Sequence, residues 1–204
     1  MAKHHIIISG TGRSGTTFLV QLLTALGLDT GFGDTTSAVF ANCNAGMEWD
    51  IRRHDAPYIV KSPWLCDYLD EVLTGEEIVI DHAIVPVRDL LSAAQSRREV
   101  AMRTDPAEFP HEIPGGLWHT DAPEQQEQVL ASQLYKLVYA LAKWDIPATL
   151  LHFPRIVHDP EYLHGKLAFA LDGVSFGRFV AAFEQVARPQ SVHDFTGPRA
   201  DPSA

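Results

Sequence analysis

"SGTGRSGTTFL", residues 9–19, decides how the chain is read, because it joins two unlike segments. Before it, "HHIIIS" (4–9) carries a continuous apolar, β-branched run, the pattern of a strand buried on both faces. After it, Phe18, Leu19, Leu22, Leu23 and Leu26 recur at helical spacing, and Gly27 follows where a helix would close. Strand, glycine loop and helix in that order bring backbone N–H groups and the positive end of a helix dipole to one point. Such a point attracts an anion.

Outward from this unit the alternation continues. "PYIVKS" (57–62) reads as a second strand, and Pro63 opens a helix carrying Leu65, Leu69 and Leu73. Residues 28–56, rich in Gly, Asp, Asn and Thr, read as long loops with one short helix. "EIVIDHAIVPVRDLLSAAQSRREVA" (77–101) starts as strand, in one piece or two, and turns helical near Arg88, with Pro86 calling for an edge or a bulge. Residues 104–123 hold four prolines and "PGGLWHT", a long loop of the kind that forms lids or binding walls. Helices are expected over 124–143, 159–171 and 176–186, with a strand at "ATLLHF" (148–153). Strands alternating with helices imply an α/β fold, a mostly parallel sheet covered on both faces, with ligands at the carboxyl ends of the strands. A single domain over residues 1–187 is expected, followed by a flexible tail, 188–204.

Charge narrows the ligand class. The net charge of −10 argues against a sequence-independent grip on nucleic acid, so an anionic ligand has to be held locally. Arg13, Lys61 and Arg88 are the cations in reach of strand ends, whereas Arg52, Arg53, Arg97 and Arg98 read as surface charges. No apolar run approaches the length of a membrane span, and the short opening run is unlike a signal peptide, so a soluble, cytoplasmic protein without a membrane partner is expected. Cys43 and Cys66 are expected to be reduced structural thiols.

In the common ATP- and GTP-binding loop, G-x-x-x-x-G-K-[ST], lysine reaches the terminal phosphates. Gly10 and Gly15 keep that spacing, but Thr16 stands at the lysine position and the nearby cation is Arg13. "RSGTT" (13–17) in this setting resembles the loop of the sulfotransferases that use 3'-phosphoadenosine 5'-phosphosulfate (PAPS), in which a basic residue, Ser and Gly precede two small hydroxyl residues. The resemblance extends to "VRDLLSAAQS", where Arg88 at a strand end is followed eight residues later by Ser96, and to "KSP" (61–63), similar to that family's Lys-Ser/Thr segment. "LLHFPRIVHDPEYLHGKLAFAL" resembles the late strand and helix of bacterial members.

This resemblance implies a three-layer P-loop-type sheet flanked by helices. It implies that Arg13, Ser14, Gly15, Thr16 and Thr17 hold the 5'-phosphosulfate, that Arg88 and Ser96 grip the 3'-phosphate, and that Lys61 lies near the sulfuryl group. PAPS would be the donor and 3'-phosphoadenosine 5'-phosphate (PAP) the product, with no metal and with a small-molecule or carbohydrate acceptor. Some members carry a catalytic histidine two residues after the lysine, where this chain has Pro63. The base is then sought between the first helix and the second strand, at Asp34 in "GFGDTT" ahead of Glu48 in "AGMEWD", with His111 and His119 as acceptor-pocket candidates, Trp118 as a pocket wall and His82 as structural. Two alternatives stand beside it. One is a magnesium-dependent P-loop kinase or NTPase, with Asp81 ending "IVID" as the metal support, and the other is a non-catalytic adenine-nucleotide binder.

Overall fold

The computed structural model describes residues 2–193 and 195, apart from 41, 42, 106, 108 and 110–112. In chain order the strands are β1 (Lys3–Ile8), β2 (Val39–Phe40), β3 (Ala45–Gly46), β4 (Ile59–Lys61), β5 (Ile78–Val87) and β6 (Ala148–His152). The helices are α1 (Thr16–Ala25), α2 (Leu65–Thr74), α3 (Leu90–Arg103), α4 (Gln126–Lys143), α5 (Pro160–Leu167) and α6 (Phe176–Val186).

The main sheet is parallel and runs β4-β1-β5-β6. β1 explains the unbroken apolar run at the start of the chain. Ile6 and Ile8 enter a core with Leu19 and Leu22 of α1, Leu163 of α5 and Phe179 of α6, whereas Ile7 enters a second core with Leu65 and Leu69 of α2 and Leu137 of α4. Alternating side chains thus meet helices on both faces of the sheet. Each such isoleucine contributes about 1.5–3 kcal/mol by its burial. No helix among the described residues is long and apolar enough to cross a membrane.

Helix ends follow the residues placed there. α1 stops in a Schellman arrangement: Gly27, at φ 79°, donates to Thr24 O (2.9 Å), and Leu28 donates to Leu23 O (3.0 Å). Asp89, Asp159 and Ser175 accept from N–H groups in the first turns of α3, α5 and α6. α1 opens instead on Gly15, with no side-chain cap and no acidic residue in its first turn. Its positive end is left open.

Three expectations are corrected. Among the described residues of 28–56 there is no helix, and the segment carries the β2–β3 hairpin. β5 is one strand in the sheet interior despite Pro86. Its bulge lies lower, where the register to β1 skips from Ile80 to His82; beyond it Ser9 N donates to Ile84 O and Phe153 N to Val87 O, so from His82 onward even-numbered residues face β1 and odd-numbered ones face β6. The paired part of β1 ends opposite Ile84, two residues before Pro86, and Pro86 lies against Gly10 of the glycine loop. Residues beyond 187 are also placed. Pro189–Ser191 forms one 3-10 turn, Val192 packs on the α1/α5/α6 core, and Arg88 donates to His193 O. Contacts with the rest of the fold therefore continue to His193, while residues 194 and 196–204 lie outside the described ones.

Gly46 fixes where the hairpin sits: at φ 127° a Cβ would collide with the carbonyl of Ala38. Gly46→Ala is expected to cost at least about 1 kcal/mol in urea unfolding. Gly165→Ala, inside α5 with nothing near its Cβ position, should stabilise by up to about 1 kcal/mol. Equal effects at the two sites would contradict this placement.

Candidate functional site: a cationic cavity around the glycine loop

The sheet order reverses direction at β1: the chain passes from β1 to β4 on one side, then across to β5 and β6 on the other. Loops leaving the carboxyl end of β1 and its neighbours therefore part and leave a crevice. A cavity of about 540 Å³ opens there, lined by the loop, by Lys61 and Glu48, by Arg88 and Ser96, and by Trp118.

The loop is wound so that its donors are spare. Gly12 (φ 65°), Arg13 (φ 53°) and Gly15 (φ 86°) occupy the left-handed region, which turns successive N–H groups to one side. Among the described residues, no acceptor is found for the backbone N–H groups of Gly10 through Phe18. Most of these residues are buried, and the Ser14 hydroxyl is fully buried with no partner. Buried donors without acceptors cost about 1–3 kcal/mol each, and an anion at the open end of α1 satisfies several at once.

Cations converge on the same point. Arg13 donates from Nε to Ser96 Oγ (3.1 Å) and from Nη1 to Cys43 O, and burial pushes its guanidinium below the ordinary range. Arg88, just past β5, donates from Nη1 to Arg13 O (2.9 Å) and lies over the Phe153 ring at 5.0 Å. Arg88 and Ser96 are thus brought together through Arg13. Lys61 ends β4 with 3% of its side chain exposed, and Nζ donates to Thr17 Oγ1 (2.9 Å), Gly46 O (2.5 Å) and Glu48 Oε1 (2.8 Å). Burial pushes the Lys61 ammonium below its usual value, with the Glu48 carboxylate opposing.

The two candidate carboxylates part company. Asp34 is exposed, and its Oδ1 accepts from Thr36 N (2.7 Å), Ser37 N (2.7 Å) and Thr36 Oγ1 (3.1 Å). Those bonds hold its carboxyl well below the usual range, so it is a turn cap and a poor base, and it does not line the cavity. Glu48 does line the cavity, with 23% of its side chain exposed. Its partner is Lys61, since Arg52 pairs with Asp50 at 2.7 Å. Of the two carboxylates expected near the acceptor, Glu48 is thus the one that the structure puts beside the cavity's cations.

Other expected residues fall elsewhere. His119 turns to Asp67 (3.2 Å), away from the cavity lining, and His111 lies outside the described residues. His82 stacks on Phe169 with centroids 3.7 Å apart and bonds to Thr149. Asp81 bonds His4 (2.7 Å) and Tyr58 (3.0 Å), three residues toward the amino end from Ile84, the partner of Ile8. It lies about 10 Å below the loop level. Cys43 and Cys66 are free thiols, the second pushed up to about 12 by burial.

Arg97 is the cavity-lining residue that the sequence reading missed. Far from a surface charge, it is 6% exposed, donates to Thr11 O (2.9 Å) and Gly116 O (2.7 Å), and lies over the Trp118 ring at 4.7 Å. Its position nine residues after Arg88, one after Ser96, was the available signal, because it puts Arg97 on the inner side of α3. Arg98 faces outward to Glu127 at 2.8 Å.

The chain matches no protein-family model, no curated protein and no solved structure.

The Lys61–Glu48 pair has a measurable signature. Breaking a fully buried pair costs about 3–5 kcal/mol, and the partial exposure of Glu48 reduces this. A double-mutant cycle with Lys61→Met and Glu48→Gln in urea unfolding should give a coupling of about 1–3 kcal/mol. A coupling near zero would mean that the two charges do not meet.

Proposed function

We propose that the protein is a sulfotransferase that moves a sulfuryl group from PAPS to a hydroxyl or amine of a small-molecule or carbohydrate acceptor. The observation that carries this is the row of acceptor-free N–H groups from Gly10 to Phe18, flanked by Arg13, Lys61 and Arg88 where a nucleotide kinase would carry one loop lysine. The loop N–H groups, Ser14, Thr16 and Thr17 would bind the 5'-phosphosulfate, and Arg88 with Ser96 the 3'-phosphate. Arg88 gives one terminal nitrogen to Arg13 O and the other to His193 O, so a 3'-phosphate would take the place of the His193 carbonyl on its guanidinium while the contact to the loop stays.

Transfer needs an in-line nucleophile and positive charge at the leaving oxygen. The acceptor oxygen or nitrogen bonds to sulfur as the bond from sulfur to the 5'-phosphate oxygen breaks, and that electron pair leaves on the phosphate. Glu48 takes the acceptor's proton. Once it is protonated, Lys61 loses its counter-charge and is left to compensate the leaving oxygen together with Arg13. A phosphate leaving group is good enough for this without a metal. Magnesium-assisted phosphoryl transfer is less well supported, because Asp81 stands below the loop and is engaged with His4 and Tyr58.

PAP in EDTA should raise the melting temperature, adding about 2.7 kcal/mol of stability at 100 times its dissociation constant, while ATP with magnesium does little. Stabilisation by ATP and magnesium without any response to PAP would overturn the proposal. In turnover with PAPS and an acceptor, Glu48→Gln should lose about 10²- to 10⁴-fold with PAP affinity nearly kept, and Asp34→Asn should behave like the unmodified protein. The reverse pattern would move the base to Asp34, and PAP binding without any turnover would mark a non-catalytic binder.

A further inference from the structure

A loop that turns its N–H groups toward a ligand must turn its carbonyls away from it, and buried carbonyls need donors too. Two arginines of the β5–α3 unit supply them. Arg97 Nη2 donates to Thr11 O at 2.9 Å, and Arg88 Nη1 donates to Arg13 O at 2.9 Å. In a planar trans peptide the carbonyl and the following N–H point in opposite directions. Arg97 therefore fixes the Gly12 N–H pointing away from itself, as Arg88 does for Ser14.

Arg97 does more than this. Its other terminal nitrogen holds Gly116 O at 2.7 Å, and its plane lies over Trp118, whose backbone is held at both N and O by Gln126 of α4. A side chain on Gly12 would run into the Arg97 guanidinium, and one on Gly115 would press on Arg13. One buried fork thus ties the glycine loop to the cavity wall formed by Gly115–Trp118.

We infer that Arg97 is a positioning residue that makes the glycine loop and the Gly115–Trp118 wall one unit, so that an anion bound by the loop also orders the wall over it. This rests on the phosphate-site reading above, with which it shares the loop but not the identity of the donor. A lysine in its place keeps the charge but offers no rigid fork and cannot hold both carbonyls in the same geometry.

The test is hydrogen exchange followed by mass spectrometry on the full chain, with and without inorganic pyrophosphate and, separately, PAP. In the unmodified protein either anion should slow exchange in peptides covering 10–18 and, together with them, in the peptide covering 113–120. In Arg97→Lys, at saturating anion, protection of 10–18 should persist while protection of 113–120 is lost, and anion affinity should fall at least about tenfold. Loss of a merely structural contact would lower stability without separating the two peptides. If pyrophosphate couples the peptides and PAP does not bind, the donor assignment fails and the coupling stands. If the loop is protected in the unmodified protein while 113–120 is not, the inference is overturned, whether or not Arg97→Lys folds. It is equally overturned if Arg97→Lys couples as before, or if neither anion binds.

Discussion

The ammonium of Lys61 is the fixed point on which the site depends. It is almost fully buried and has a hydroxyl, a carbonyl and a carboxylate around it, one from α1, one from β3 and one from the segment just after β3. Leaving such a charge unpaired in the interior would cost several kcal/mol, so the hairpin cannot leave without exposing or stranding it. Lys61 thereby sets the height of Glu48 above the sheet and the distance of the hairpin from the glycine loop. The sheet supports this in turn, because β4 places Lys61 at its carboxyl end, level with Ile8 of β1.

Around that point the molecule concentrates positive charge against its own average. A chain with a net charge of −10 lines one cavity with Arg13, Lys61, Arg88, Arg97 and Arg188, while Glu48 is the carboxylate among the described lining residues. Two of these arginines are spent on the carbonyls of the glycine loop, which leaves the loop's N–H groups for a ligand. The exposed acidic surface does not compete, because the low-dielectric walls of the cavity strengthen nearby interactions relative to distant ones.

Much of this was legible in the sequence where a single local rule decides the outcome. The run at residues 4–9, the helical spacing after Thr16 and the closing Gly27 led directly to β1, α1 and its Schellman end, because period and glycine conformation act within a few residues. The site was legible in part: Arg13, Lys61, Arg88 and Ser96 do converge, since strand ends share one edge of a parallel sheet. What could not be read depended on partners distant in the chain. Arg97 and Arg98 are adjacent in sequence, and only the packing of α3 decides that one is buried against Thr11 and Gly116 while the other meets Glu127. Asp34 and Glu48 are both loop carboxylates in the sequence, separated only by the local N–H groups that claim one and the buried lysine that claims the other. The β2–β3 hairpin has two residues per strand, too few for a pattern.

The most direct measurement is a crystal structure of the protein with PAP, grown without metal. The account predicts 5'-phosphate oxygens at about 2.7–3.2 Å from backbone N–H groups between Gly12 and Thr17, and the 3'-phosphate against Arg88 and Ser96. A nucleotide bound away from residues 10–18, or seated there with the loop carbonyls turned toward its phosphate, would contradict it.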